Sequence, residues 1–145
     1  MTTLQNAHSG ALPHQNDLAK LLLRAVLAIL ILMHGVAKLI GGPGFVTGML
    51  VKIGLPPAFG YLVYVGEVIA PLLILLGIWT RPAALVVAIN MIVAVLLVHT
   101  AQFFTRSPTG GWALELQAMF FVAAVVVALQ GAGRYSLGGA DGKWN

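Results

Sequence analysis

LAKLLLRAVLAILILMHGVAKLI, residues Leu18 to Ile40, is the stretch whose reading decides the fold. As a helix, its 23 residues would run about 35 Å at about 1.5 Å per residue, enough to cross a hydrocarbon core of about 30 Å. Proline is absent from it, and its charges, Lys20, Arg24 and Lys38, lie toward its ends. Working outward, the whole chain of 145 residues is 59% hydrophobic and only 8% charged, with a mean hydropathy of +0.95. A water-soluble domain of this size needs far more charge to cover its surface, so the expected class is an integral membrane protein with one all-α domain.

Three further apolar stretches follow, at about 60–79, 83–104 and 112–130. With 18–40 they predict a four-helix membrane bundle over residues 18–133. Gly41, Gly42, Pro43 and Gly44 end the first span, since this cluster cannot continue a helix. Between the first and second spans, Phe45, Val46, Met49, Leu50 and Ile53 recur at helical spacing in a segment too short to cross, which predicts an interfacial or re-entrant helix. Thr80, Arg81 and Pro82 make a tight connection, with Pro82 suited to a first helical turn. Residues 1–17 and 134–145 read as polar tails, the first carrying His8 and His14 without the pattern of a secretory signal. Basic residues near the span ends set orientation: Lys20, Arg24, Arg81, Arg134 and Lys143 lie on the side of the termini, against Lys38, Lys52 and Arg106 on the other. This imbalance predicts both termini in the cytoplasm.

The net charge of +4 does not indicate nucleic acid, because the basic residues stand singly at helix ends rather than along a stripe. Near the side of the termini, Arg24, Arg81 and Arg134 are expected to meet anionic lipid head groups. Cysteine is absent, which removes thiol relay chemistry and cysteine-ligated metal centres.

The functional signal is a set of ionisable side chains within the apolar stretches: His34, Glu67, His99 and Glu115, one per span. A titratable group in hydrocarbon is expensive unless it faces a partner or water, so each is a site candidate. Counting residues from the span ends places all four about 5–11 Å inside the same boundary. Lys38 lies one turn above His34, and Tyr64 shares a helical stripe with Glu67, where its phenol could bond the carboxylate. Asn90 and His99, nine residues apart on one helix, would point to opposite sides. Glu67 and His34 are the candidate catalytic pair, and His99, Glu115, Lys38 and Tyr64 the candidate cofactor-binding residues. Such a layer could relay protons, hydrogen-bond the carbonyls of a quinone, or hold zinc, iron or copper through two nitrogens and two oxygens. The metal signal is weak for want of a local ligand motif. The bland alternative is that these groups pair only to pin helix packing, at about 1 kcal/mol per contact.

The motifs resemble those of the DoxX family of small four-helix membrane proteins. The resemblance is carried by Arg24, M-H-G-V-A-K-L (Met33 to Leu39), G-L-P (Gly54 to Pro56), G-E (Gly66, Glu67), L-L-G-I-W-T-R-P (Leu75 to Pro82), Glu115 and G-A-G-R-Y-S-L (Gly131 to Leu137). It implies a multi-pass protein of the bacterial inner membrane. Some members of that family serve as a membrane subunit of thiosulfate:quinone oxidoreductase, and others associate with a membrane oxidoreductase complex in oxidative-stress defence. The expected function is a membrane component of a redox or stress-related system, with a quinone- and proton-handling site in the outer half of the bundle. Its partners would be lipids, oxidoreductase subunits and, if it oligomerises, further copies of itself. The alternative is a non-catalytic scaffold or assembly subunit; solute transport is a third class, which would need an oligomer.

Overall fold

The computed structural model describes residues 13–139, 142, 144 and 145; His8 and Lys143 lie outside them. The chain is an all-α bundle of four apolar helical segments. Helix α1 runs Pro13–Gly41, and the short α2 runs Gly44–Lys52. The second span is composite: a 3₁₀ turn at Pro57–Leu62, a π turn at Val65–Ile69, then α3 at Ala70–Leu76. Helix α4 covers Thr80–Val98 and α5 Glu115–Gln130. The first, second and third segments are long and apolar enough to cross a membrane; α5 is shorter and packs along α4.

Burial, rather than hydrophobicity, shows which way each helix faces, because the helices are apolar on nearly every side. Leu27, Ala28 and Ile31 of α1 meet Ala70 and Ile74 of α3, Ala84, Val87 and Ala88 of α4, and Ala124 and Val127 of α5. Small residues at these contacts let the helices approach closely, as packing without a hydrophobic drive requires. Leu22, Val26, Ile29 and Met33 form the opposite, outward stripe of α1.

The π turn has a cause in the sequence. In a regular helix residue 71 would donate its N–H to the carbonyl of Glu67, but Pro71 has none, and its ring crowds that carbonyl. The turn widens instead, and Ala70 N–H reaches back to the Val65 carbonyl. Glu67 therefore sits in an irregular turn, a feature found disproportionately at functional sites.

Two boundaries shift most from the sequence expectations. Helix α1 begins at Pro13, inside the segment read as a tail, and its His14 Nδ1 is 2.7 Å from the Tyr135 hydroxyl. The third span stops at Val98, not Phe104, because Thr100–Gln102 tighten into a 3₁₀ turn held by local side-chain bonds. Phe103 and Phe104 thus lie in the connection, where Trp112 Nε1 donates to the Phe103 carbonyl at 2.7 Å.

The described part of the C-terminal segment also departs from a loose tail, being tied to the end of the bundle that holds the start of α1, the α3–α4 turn and the end of α5 (the terminal end). Leu137 and Gly138 N–H groups donate to the carbonyls of Leu76 and Gly77 at 3.0 Å each. Gly77 has φ +71, and a Cβ there would collide with Arg24 and Ser136, so only glycine fits this turn. Arg24, expected to face lipid head groups, is 2% exposed. Its guanidinium donates to the Ile74 and Leu75 carbonyls at 3.0 and 3.2 Å, and to the Tyr135 carbonyl. Arg81 does the same for α5, donating to Ala128 and Leu129 at 3.2 and 3.0 Å and to the Asn145 carbonyl at 3.0 Å. Each arginine thus meets carbonyls in the last turn of a helix, where intrahelical donors run out; the Ile74 carbonyl also accepts the Gly77 N–H at 3.1 Å.

Candidate functional site

At the opposite, far end the helices part around a cavity of about 580 Å³, within the size range of small-molecule sites. Most of its lining is apolar. The polar exceptions are His34, Lys38, Glu67, Asn90, His99 and Gln117. Lys38 Nζ and Glu67 Oε2 form an ion pair at 2.5 Å, with side chains 28% and 9% exposed. The carboxylate is the more deeply buried partner, and the ammonium reaches it from one turn above His34. Burying such a pair stabilises the fold little in net terms, since desolvation offsets the attraction. Retaining it therefore calls for another reason.

The backbone that carries Glu67 is clamped from both sides. On α1, a Cβ at Gly35 would run into the Glu67 carbonyl; at Gly66 it would lie 2.5 Å from Asn90 Cγ of α4. Two glycines therefore let α1 and α4 close directly onto the π turn and fix where the carboxylate points. His34 faces the same cavity with its ring edge-to-face to Phe120, centroids 6.2 Å apart, and among the described residues it makes no hydrogen bond. His34 is exposed, whereas Asn90 Nδ2 and Gln117 Oε1 are buried without a partner, as is Arg24 Nε at the terminal end. Buried polar atoms in that condition are uncommon and call for an explanation.

The structure brings together part of the predicted layer and takes the rest apart. His34, Lys38 and Glu67 converge. Tyr64 does not bond the Glu67 carboxylate: its hydroxyl donates to the Lys38 carbonyl at 3.1 Å, helping hold the end of α1. His99 lines the cavity but sits just past the end of α4, its Nδ1 3.0 Å from Gln102 Oε1. The rotational reasoning that set His99 opposite Asn90 fails for that reason, since His99 no longer follows the helix, and both line the cavity. Glu115 leaves the layer altogether. It opens α5, is exposed, and accepts the Trp112 backbone N–H at 2.9 Å, fastening the turn that leads into its own helix. Two imidazoles and two carboxylates therefore do not converge, and among the described residues no group of three His, Asp or Glu stands close enough to hold a metal ion. Gln117 was missed in the sequence. Its signal is an amide two residues beyond Glu115 in an otherwise apolar helix.

With this geometry in place, comparison with known proteins decides the family. The sequence model of DoxX matches residues 19–100. The chain belongs to the DoxX family. That match runs from α1 through α4 and includes His34, Lys38, Tyr64, Glu67, Asn90 and His99, while Glu115 and Gln117 fall beyond it. A Haemophilus influenzae protein named "Uncharacterized protein" is 30% identical over 118 residues, covering 79% of this chain and 84% of its own. A Bacillus subtilis protein named "Putative oxidoreductase CatD" is 28% identical over 116 residues, covering 80% and 81%. No solved structure matches.

Proposed function

We propose that this DoxX-family protein is a membrane component of a redox system of the bacterial inner membrane, and that its far-end cavity binds a quinone. One observation carries this reading: a largely apolar cavity gathers an ion pair and an imidazole with no hydrogen bond at one place. That combination suits a flat, apolar ring bearing carbonyl oxygens. Lys38 has three N–H donors and spends one on Glu67, which leaves it able to bond a carbonyl, and His34 can serve the same ring. A bound quinone supplies two-electron, two-proton redox chemistry. The electrons come from an oxidoreductase partner, and Glu67 and His34, both lining the cavity, are the side chains that give or take the protons. The name of the Bacillus subtilis relative agrees with this assignment.

The test is an inventory of what copurifies with gently solubilised protein, by mass spectrometry of the organic extract and of metals. Quinone near one per chain, lost in a His34→Ala, Glu67→Gln double variant that still folds, is the expected result. Lipid alone, together with no binding of added quinone, would favour the scaffold reading, in which the polar groups only fix helix register. The dense hydrogen bonding of the terminal end already has that character.

A further inference from the structure

Resting on the quinone reading, we infer that the cavity is reached sideways from the bilayer and takes a quinone bearing a long prenyl tail, whose tail stays in the hydrocarbon while its ring reaches His34 and the Lys38–Glu67 pair. The passage lies between α4 and the segment that precedes α3. Ile89 and Val93 of α4, and Phe59 and Leu62 on the facing segment, line the cavity, yet are 59%, 48%, 50% and 60% exposed on the outer surface. Side chains that face both a cavity and the outside mark an open flank.

The depth of that flank is what makes it a route for lipid. Val93 and Ile89 lie five and nine residues before the end of α4 at Val98, so about 7–14 Å below it at about 1.5 Å per residue. That is hydrocarbon depth. Val65 completes the flank, and these five residues are all apolar. A prenyl tail there exchanges lipid neighbours for equivalent side chains and gains or loses little, so the polar ring, not the tail, decides where the molecule stops. Above the gap, α2 rests on the Pro57–Leu62 turn and touches α4. A Cβ at Gly60 would collide with Thr47, so helix and turn are in direct contact. α2 thereby covers the cavity from above, where its Phe45 also lines the cavity and is 66% exposed, so depth in the bilayer rather than closure of the roof singles out the side.

The experiment uses the full chain in lipid nanodiscs and three probes: a tail-less benzoquinone, a benzoquinone with a long prenyl tail, and a prenyl alcohol of the same tail. Ile89→Trp and Val93→Trp each narrow the gap, and Leu85→Trp, on an outward face of α4 away from the cavity, is the control. Narrowing should weaken the tailed quinone at least tenfold and the tail-less ring less than twofold, with the control unchanged. Should the α4 variants fail to give monodisperse protein, Leu62→Trp narrows the gap from the other side with the same expectation. Equal binding of the tailed quinone to wild type and narrowed variants overturns the sideways route and leaves the quinone reading standing. So does an equal loss of both quinones, which means the cavity has merely been filled. If neither quinone binds the wild type but the alcohol does, and is lost on narrowing, the route stands and the quinone reading falls.

Discussion

At the terminal end, Arg24, Thr80, Arg81 and Asn145 meet amides and carbonyls in fixed directions, and most of their polar atoms are used, with Arg24 Nε the buried exception. At the far end, among the described residues, Asn90 Nδ2 and Gln117 Oε1 are buried without a partner and the more exposed His34 makes no hydrogen bond, and all three line a cavity. Both ends bury polar side chains in an apolar bundle, so burial alone does not separate structure from function. Open volume does. A dense network with no cavity beside it fixes one arrangement of the helices, whereas unmet groups that line a cavity are poised for something that arrives from outside.

If the terminal end is structural, breaking it should have the largest effect on folding. Arg24→Met keeps roughly the volume but strips the Arg24 donors from the Leu75 and Tyr135 carbonyls, each worth about 1–3 kcal/mol when left unmet, while the Ile74 carbonyl keeps the Gly77 N–H. A loss of about 2–6 kcal/mol is expected, seen as a collapse of the melting transition in detergent and poor recovery of monodisperse protein. A variant that melts within a few degrees of wild type would put the terminal end on the same footing as the far one. Next comes the clamp on the π turn. Gly35→Ala pushes a methyl into the Glu67 carbonyl, and overpacking of this sort costs about 1–3 kcal/mol. Because the carboxylate moves with its backbone, quinone affinity should fall as well; stability loss with unchanged affinity would show that the position of Glu67 does not matter.

Glu67→Gln tests the far end more directly. Lys38 is only partly buried, so removing its partner should destabilise by about 1 kcal/mol, well below the 3–5 kcal/mol of a fully buried pair broken on one side. Quinone binding should nevertheless fall by tenfold or more. A melting loss as large as that of Arg24→Met, with binding retained, would make the pair a structural lock and the cavity incidental.

Much of this organisation is legible in the chain. Leu18 to Ile40 announces a span by length and composition, and the spacing of Phe45, Val46, Met49 and Leu50 announces a short helix that cannot cross. What the sequence hides is where the polar side chains go. Arg24 and Lys38 look alike as basic residues near the two ends of one helix, yet one disappears among carbonyls and the other finds a carboxylate. The difference lies in the segments that pack against them, some of them more than a hundred residues away along the chain. Depth arithmetic fails for His99 and Glu115 for a related reason. It assumes that a helix runs as far as its apolar pattern does, but Thr100–Gln102 and the turn at Trp112 shorten both helices, leaving the two residues at helix ends.

Glu115 gives the smallest effect and the sharpest division between the two kinds of polar group. It lies in the far half of the bundle, where its position in the sequence suggests a place in the ligand site, but its carboxylate accepts the Trp112 N–H of the turn before its own helix. Glu115→Ala should therefore cost about 0.5–1 kcal/mol, the net worth of one exposed hydrogen bond. Glu115→Gln should cost less, since the amide oxygen still accepts the Trp112 N–H. Neither should change quinone affinity by more than twofold. Melting curves and titrations on the two variants read both quantities at once. If Glu115→Gln instead keeps its stability and loses binding as Glu67→Gln does, then Glu115 swings into the cavity when ligand is present, and the predicted layer assembles only in the bound protein.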